Sequence, residues 1–314
     1  MSKHYDIAFV GLGSIGTRHL NNVRTFLDEH GDTYAIDLYR HKLQDSLPDG
    51  VRAQNLYGEE LQETQQYDIV FVTNPTSMHE EVVYKFIGHA RAFFIEKPVF
   101  GTTDVNEELL SQLDAVPNYV ACPLRYNPVL QYVHEFGLCK DAIAVRAICS
   151  SYLPEWRPNT DYRNCYSAHR DMGGGVGIDL IHEWDYLTWL LGRPEECHSI
   201  QTKISNLEID SDDIAIYIAK TKNTSIEVHL DYFGRKPIRQ LEIFLPHNTI
   251  RCDLIQGSIT YLKSGKQLQI DADRNAFQMK EIAHFFDIVD GRIASDSDVR
   301  HAMNVLRIAK GEYK

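Results

Sequence analysis

The run Gly11-Leu12-Gly13-Ser14-Ile15-Gly16 constrains this chain more than any other feature. It follows residues 6–10 (DIAFV), whose apolar, β-branched and aromatic content reads as a strand. It opens residues 17–27, which read as a helix, so the glycines stand in the context that gives GxGxxG its meaning. Each glycine has its own duty. Gly11 permits the tight turn, Gly13 lets a pyrophosphate approach the backbone, and Gly16 allows close packing of helix on strand. Ser14 and Ile15 lie at the helix N-terminus, where free N–H groups and the positive end of the dipole favour an anion. The stretch predicts a dinucleotide-binding unit.

The next strand, residues 34–39, bears on cofactor choice. NAD-binding chains place an acidic residue at its end to hold the ribose 2′-OH. Here the end reads Leu38-Tyr39-Arg40-His41-Lys42, and Asp37 stands two residues early, on the other side from Leu38. Arg40, with Lys42, suits a 2′-phosphate that a carboxylate would repel. The expectation is NADP(H) favoured over NAD(H). Residues 59–66 read as a helix and 68–73 as a buried strand. Thr73, Asn74 and Pro75 then fall at the carboxyl edge of the sheet, where ligands bind in open α/β folds. Ser77 is expected to cap a helix over 78–88, with His79 in its first turn as a candidate cofactor contact.

Residues 91–95 form a further apolar strand that runs into Glu96-Lys97-Pro98. Pro98 stops the ladder because it has no N–H to donate. A carboxylate and an amine at the end of a core strand need partners or a task, since burying charge is expensive. Both are candidates for the site. A helix over 102–113 and a strand over 118–122 complete a strand–helix alternation typical of a doubly wound parallel sheet. The expected fold is α/β: a Rossmann domain over residues 1–122 and an α+β domain with a largely antiparallel open sheet over 123–314.

Pro123-Leu124-Arg125-Tyr126-Asn127-Pro128 reads as the hinge, followed by a helix over 128–136. Strands are expected at 142–153, 214–221, 225–233, 239–245, 249–254 and 258–262, several alternating apolar and polar residues. Helices over 277–289 and 297–309 close the chain. Between the first two of these strands lies a long loop carrying Trp156, Arg157, Tyr162, Arg163 and Tyr166, which suits a polar, ring-shaped or anionic ligand. Gly173-Gly174-Gly175 then lets the chain pass close to a ligand or another backbone. The helix expected after it places Asp179 and His182 at i and i+3 on one face, so the carboxylate can fix the imidazole tautomer or raise its basicity. Glu183 and Asp185 continue that helix.

Net charge of -12 gives no electrostatic reason to seek nucleic acid. No apolar run approaches the ~20 residues of a membrane span, and the N-terminus lacks a signal-peptide layout. Six scattered cysteines, without CxxC, suggest neither a metal site nor a disulfide framework. The expectation is a cytoplasmic protein without metal, nucleic acid or membrane partners.

Taken together, the Gly11–Gly16 turn, Glu96-Lys97-Pro98 and the Gly-Gly-Gly…Asp…His segment resemble the Gfo/Idh/MocA family (glucose–fructose oxidoreductase, inositol dehydrogenase, rhizopine catabolism) over essentially the full length. Residues 152–158 and 161–168 resemble a branch met in bacterial surface-polysaccharide gene clusters. The resemblance implies a homo-oligomer, dimer or tetramer, joined through the C-terminal sheet, and oxidation or reduction of a secondary alcohol of a sugar or cyclitol with NAD(P). It carries the family's lysine onto Lys97 and its aspartate onto Asp179. The family's histidine lies four residues after that aspartate. Here Glu183 holds that place and His182 lies one residue earlier, with His182-x-x-Asp185 intact, so His182 is taken as the base. Pro123 stands where many members have Asn.

The resulting expectation is hydride transfer between nicotinamide and the hydroxyl or ketone carbon of a sugar or sugar nucleotide. Lys97 stabilises the developing oxyanion and His182, with Asp179, takes the proton. Arg125, Tyr126, Arg157, Tyr162, Arg163 and Tyr166 are the substrate-side candidates. The alternatives are a redox-neutral NAD-dependent glycosidase-like enzyme of the same fold, and a non-catalytic cofactor-sensing regulator.

Overall fold

Strands buried on both faces organise the N-terminal part of the chain. The computed structural model describes residues 2–40, 50–56, 61, 62, 64–271 and 274–313. In β1 (His4–Val10), Ile7, Ala8, Phe9 and Val10 are 0% exposed, as is every residue of β4 (Ile69–Val72). That is why these segments read as apolar runs without alternation. With β2 (Thr33–Arg40), β3 (Val51–Leu56), β5 (Phe93–Ile95) and β6 (Asn118–Val120) they form a parallel sheet in the order β3-β2-β1-β4-β5-β6. The strand order reverses between β1 and β4, so their carboxyl ends flank the switch point where open α/β sheets bind ligands.

Helix α1 (Ser14–His30) leaves the glycine turn and buries Gly16, His19, Leu20, Val23 and Leu27 along one face. Gly31, at φ +69°, ends it by donating to the carbonyls of Leu27 and Asp28. Helix α2 (His79–Phe86) follows a short 3₁₀ turn, Thr76–Met78, that displaces the expected start; Ser77 falls inside that turn and caps no helix. Helix α3 (Glu107–Asp114) starts five residues later than expected because the Asn106 side chain caps it, accepting from Glu108 N–H at 2.8 Å. The helix expected over 59–66 falls partly outside the described residues, and residues 61, 62 and 64–66 are not helical. Strand β3 was not anticipated.

The second sheet is mixed. After α4 (Pro128–Glu135) come β7 (Ala144–Tyr152), α5 (Val176–Asp179), α6 (His182–Leu191), β8 (Glu196–Thr202), β9 (Ile214–Lys220), β10 (Ser225–Asp231), β11 (Phe233–Leu245), β12 (Asn248–Asp253), β13 (Ser258–Tyr261) and β14 (Lys266–Gln269). Their order is β14-β13-β12-β11-β7-β10-β9-β8, with β7 and β10 parallel and the other pairs antiparallel. In β9, Ala215, Tyr217 and Ala219 are buried while Ile216, Ile218 and Lys220 are exposed, the signature of a sheet covered on one face. Edge strands β8 and β14 were not anticipated. The chain ends in α7 (Arg274–Val289) and α8 (Val299–Ala309).

The chain divides into two compact units, Met1–Ala121 with Gln278–Met303, and Cys122–Phe277 with Asn304–Lys314. Within the first, Phe285 of α7 packs edge-on to Phe71 and Phe94, with ring centroids 5.7 and 5.2 Å away. The fold class is the expected one: a parallel Rossmann sheet and a largely antiparallel second sheet.

Candidate active site

The carboxyl ends of three neighbouring strands, β1, β4 and β5, carry the glycine turn, Asn74 and Lys97. Gly11, at φ +87°, donates its N–H to Tyr39 O at 2.9 Å. A Cβ on Gly11 would lie 2.6 Å from the Asn74 Cα, and one on Gly16 would meet Gly11 O and Thr73 Oγ1, each at 2.7 Å. Gly13 faces open space. It is also the N-cap of α1, which has no side-chain cap, so the first-turn N–H groups around Ser14 and Ile15 are left for an anion. Thr73, expected to touch cofactor, donates its hydroxyl to Gly11 O at 2.7 Å and so braces the turn.

Two side chains at this edge have buried polar atoms without a partner among the described residues: both amide atoms of Asn74, and Nη1 of Arg40 at the end of β2. Pro75, next to Asn74, is exposed. Asp37 is engaged elsewhere, accepting from Arg52 Nη2 at 2.9 Å and Tyr67 Oη at 2.8 Å. It therefore cannot supply the missing ribose carboxylate. Lys42, the second cation considered for a 2′-phosphate, lies outside the described residues. An open glycine turn, an uncapped helix end and unpartnered Asn74 and Arg40 atoms fit a dinucleotide.

Glu96 and His79 anchor this edge. Glu96 Oε1 meets His19 Nε2 at 2.5 Å, and its Oε2 accepts the Lys97 backbone N–H at 3.1 Å. Burial acts to raise the Glu96 pKa, but the hydrogen bond and charge of His19, with Lys97 and His79 nearby, hold it below the ordinary value. Glu96, expected as a cofactor contact, thus links α1 to the Lys97 backbone. His79 is 1% exposed, with Nδ1 3.1 Å from Val99 O and Nε2 3.0 Å from Asn74 O. Burial lowers its pKa, and a neutral ring has one N–H, so it serves one carbonyl at a time. It fixes the Asn74 backbone and is sealed from ligand, which corrects the expected cofactor contact.

In the second unit the expected continuous helix is broken. Asp179 ends α5, Leu180 leaves helical geometry at φ -96°, ψ 27°, and His182 starts α6. Asp179 and His182 therefore belong to two successive helices and not to one. The carboxylate of Asp179, 5% exposed, accepts from Tyr232 Oη at 2.5 Å and from the Tyr166 hydroxyl. Burial and that carboxylate hold both phenols well above their ordinary pKa, so they stay protonated donors. Tyr232 had no local sequence signal, since it lies 53 residues from Asp179. Gly174 passes between backbones: a Cβ there would lie 2.2 Å from Tyr166 O and 2.7 Å from His169 O.

Neighbouring charges are closed off. Glu183, 0% exposed, accepts from Arg239 Nε at 2.7 Å and Nη2 at 3.2 Å. Asp185 accepts from Arg125 Nε at 3.0 Å and Nη2 at 2.7 Å. Arg125 is 1% exposed, so its guanidinium is a buried structural cation, correcting its expected substrate role. Tyr126 is likewise buried. Arg163 is exposed and ion-paired, with Asp161 at 2.8 Å and Glu208 at 3.0 Å. Tyr162 Oη accepts from Glu208 N–H at 3.2 Å. Arg157 lies over the Tyr166 ring at 5.8 Å, and Tyr166 stays 39% exposed. Among the described residues, no group of His, Cys, Asp and Glu is placed to hold a metal ion, and no helix is long and apolar enough to cross a membrane.

Residues 5–120 match the model of an oxidoreductase family with an NAD-binding Rossmann fold, Gfo/Idh/MocA. The match covers the N-terminal segment of the first unit. An uncharacterised oxidoreductase of Synechocystis sp. is 25% identical over 201 residues, 61% of this chain and 52% of the relative. The chain spans about half the length of the curated relatives it matches. Among solved structures, it is similar to UDP-N-acetylglucosamine 3-dehydrogenase from Acidithiobacillus ferrooxidans, with a TM-score of 0.73 and 17% identity, covering 98% of this chain and 96% of that one. It is also similar to the WlbA dehydrogenase of Bordetella pertussis in complex with NADH and UDP-GlcNAcA, with a TM-score of 0.75, 16% identity, and 98% and 94% coverage. At these identities the likeness is one of fold, and it covers both units.

Proposed function

We propose that this chain is a Gfo/Idh/MocA-type, NAD(P)-dependent oxidoreductase acting on a secondary alcohol or ketone of a sugar or sugar nucleotide. The observation that carries the reading is the trio of adjacent strand ends bearing the glycine turn, Asn74 with its unpartnered amide, and Lys97. The sugar-nucleotide class is supported by the two solved structures named above. A bound NAD(P) supplies the hydride acceptor. The chain's own residues do the rest: Lys97 holds the substrate oxygen as negative charge develops, and His182 takes the hydroxyl proton on an imidazole nitrogen. Arg239 neutralises Glu183, which favours His182 as the base. Asp179, held by two tyrosines, shapes the second unit's contribution. The unpartnered Arg40 nitrogen and the engaged Asp37 favour NADP(H) over NAD(H).

The reading includes a cytoplasmic setting, which suits six unbridged cysteines, and self-association through the open face of the second sheet. There, Ile200 pairs with Ile216 across β8 and β9, and Ile200 and Ile218 are 68% and 63% exposed. Absorbance at 340 nm with NAD+ or NADP+ and a panel of neutral and acidic UDP-sugars tests the activity. Reduction of cofactor with at least one sugar is expected. Tight cofactor binding with no net reduction across the panel would contradict it and favour a redox-neutral or regulatory role.

A further inference from the structure

The helix that opens on the glycine turn also reaches Lys97. His19 lies on α1, three residues after Gly16, and about 7.5 Å along the helix axis from Ser14. Its ring is 1% exposed and stands edge-on to Phe94, with centroids 4.8 Å apart. Nε2 meets Glu96 Oε1 at 2.5 Å, while Glu96 Oε2 accepts the Lys97 backbone N–H at 3.1 Å. One carboxylate oxygen thus serves the helix and the other serves the segment that carries the lysine, all within the first unit.

The other ring nitrogen of His19, Nδ1, is buried without a hydrogen-bond partner. Leaving a polar atom so placed costs stability, and a phenylalanine would fill the space beside Phe94 without that cost. Packing therefore gives no reason for an imidazole here, whereas the Glu96 contact does. Local rules broken at the expense of stability mark functional positions. The lysine segment is pinned from its other end as well. His79, the first residue of α2, places Nδ1 3.1 Å from Val99 O, two residues beyond Lys97. Of these two buried histidines, His19 is the one on the helix whose uncapped N-terminus suits a pyrophosphate.

We infer that His19 is a positioning residue for Lys97. Through Glu96 it fixes the backbone from which the amine extends, and it ties that backbone to the dinucleotide-binding helix. The inference rests on the proposed role of Lys97 and adds how the lysine is held in register with the cofactor.

Oxidation of UDP-GlcNAc or UDP-GlcNAcA by NADP+ tests it in two variants of the full chain. His19→Phe keeps a ring and loses the donor; His19→Gln puts an amide nitrogen near the Nε2 position. His19→Phe should lower kcat about 10- to 100-fold, the scale for a reacting group misplaced by about an ångström, with KM and NADPH affinity held within about threefold. His19→Gln should recover most of that loss. In a Lys97→Ala background His19→Phe should cost less than about threefold more, because its effect runs through the lysine. Glu96→Ala cuts the same link from its other end and should repeat the pattern, which keeps the test alive if His19→Phe does not fold. Hydrogen–deuterium exchange at the Lys97 amide needs no turnover: NADPH should slow it about fivefold or more in wild type, and less than about twofold in His19→Phe and Glu96→Ala. An undiminished kcat in folded His19→Phe, a full loss repeated in the Lys97→Ala background, or equal slowing of exchange in every variant overturns the inference. With Lys97→Ala itself slow, any of these leaves the oxidoreductase reading standing. Undiminished turnover in Lys97→Ala alone would instead remove the lysine's role, and His19's with it.

Discussion

The two units hold their candidate site residues by different means. At the first sheet's edge most partners are backbone groups: Thr73 on Gly11 O, His79 between Asn74 O and Val99 O, Glu96 on Lys97 N–H, and Gly11 N–H on Tyr39 O, the Glu96–His19 pair being the side-chain exception. In the second unit they are side chains: Tyr232 on Asp179, Arg239 on Glu183 and Arg125 on Asp185. Backbone contacts follow from where strands end and how the turn is made, so a substitution there disturbs a local shape. Side-chain pairs are buried charges whose loss leaves an uncompensated partner. The first arrangement should fail in cofactor affinity or rate, the second in stability.

His182 is the sharpest exception, since it is part-exposed at the break between α5 and α6. His182→Asn should lower alcohol oxidation by about 10²–10⁴, the range for a lost general base, with the thermal midpoint nearly kept. Steady-state rates beside calorimetry check this, and full activity would move the base elsewhere. Next in size, Arg239→Met strands the buried Glu183 and should destabilise the fold by about 3–5 kcal/mol. The double variant Arg239→Met/Glu183→Leu should recover most of that loss in a denaturant titration. If the single variant unfolds like wild type, the contrast between the units is wrong.

On the first unit's side, Arg40→Ala should weaken NADPH about 10- to 100-fold and NADH little, measured by fluorescence. Equal wild-type affinities would remove the NADP preference. The smallest effect concerns Glu96. Its folded pKa lies below the ordinary 4.5, so its contribution to stability is present above that value and is lost as pH falls through the lowered folded value. Glu96→Gln should therefore flatten the acid limb below about pH 4.5 while leaving the neutral-pH midpoint less affected. An unchanged acid limb would mean that the His19 contact adds nothing.

The same contrast explains what could be read from residues alone. GxGxxG after a strand and Glu-Lys-Pro after another are local patterns, and their backbone geometry came out as expected. Asp179 to Tyr232 spans 53 residues, Glu183 to Arg239 spans 56 and Arg125 to Asp185 spans 60. No spacing rule reaches that far, so Arg125 looked available and Tyr232 went unnoticed. The break at Leu180 was hidden because residues 176–191 contain no proline and, Gly177 apart, no strong helix breaker. Edge strands β8 and β14 carry polar residues, and β14 (Lys266–Gln269) shows no apolar run at all.

The central claim is that Lys97 serves hydride transfer at a sugar carbon. The direct test supplies NADP+ with UDP-GlcNAc or UDP-GlcNAcA deuterated at every ring carbon, and weighs the recovered cofactor by mass spectrometry. The account predicts NADPH one mass unit heavier. It also predicts a rate about 10²–10³ lower in Lys97→Ala, which should still bind NADPH. Unlabelled cofactor despite tight binding, or undiminished transfer in a folded Lys97→Ala protein, would contradict it.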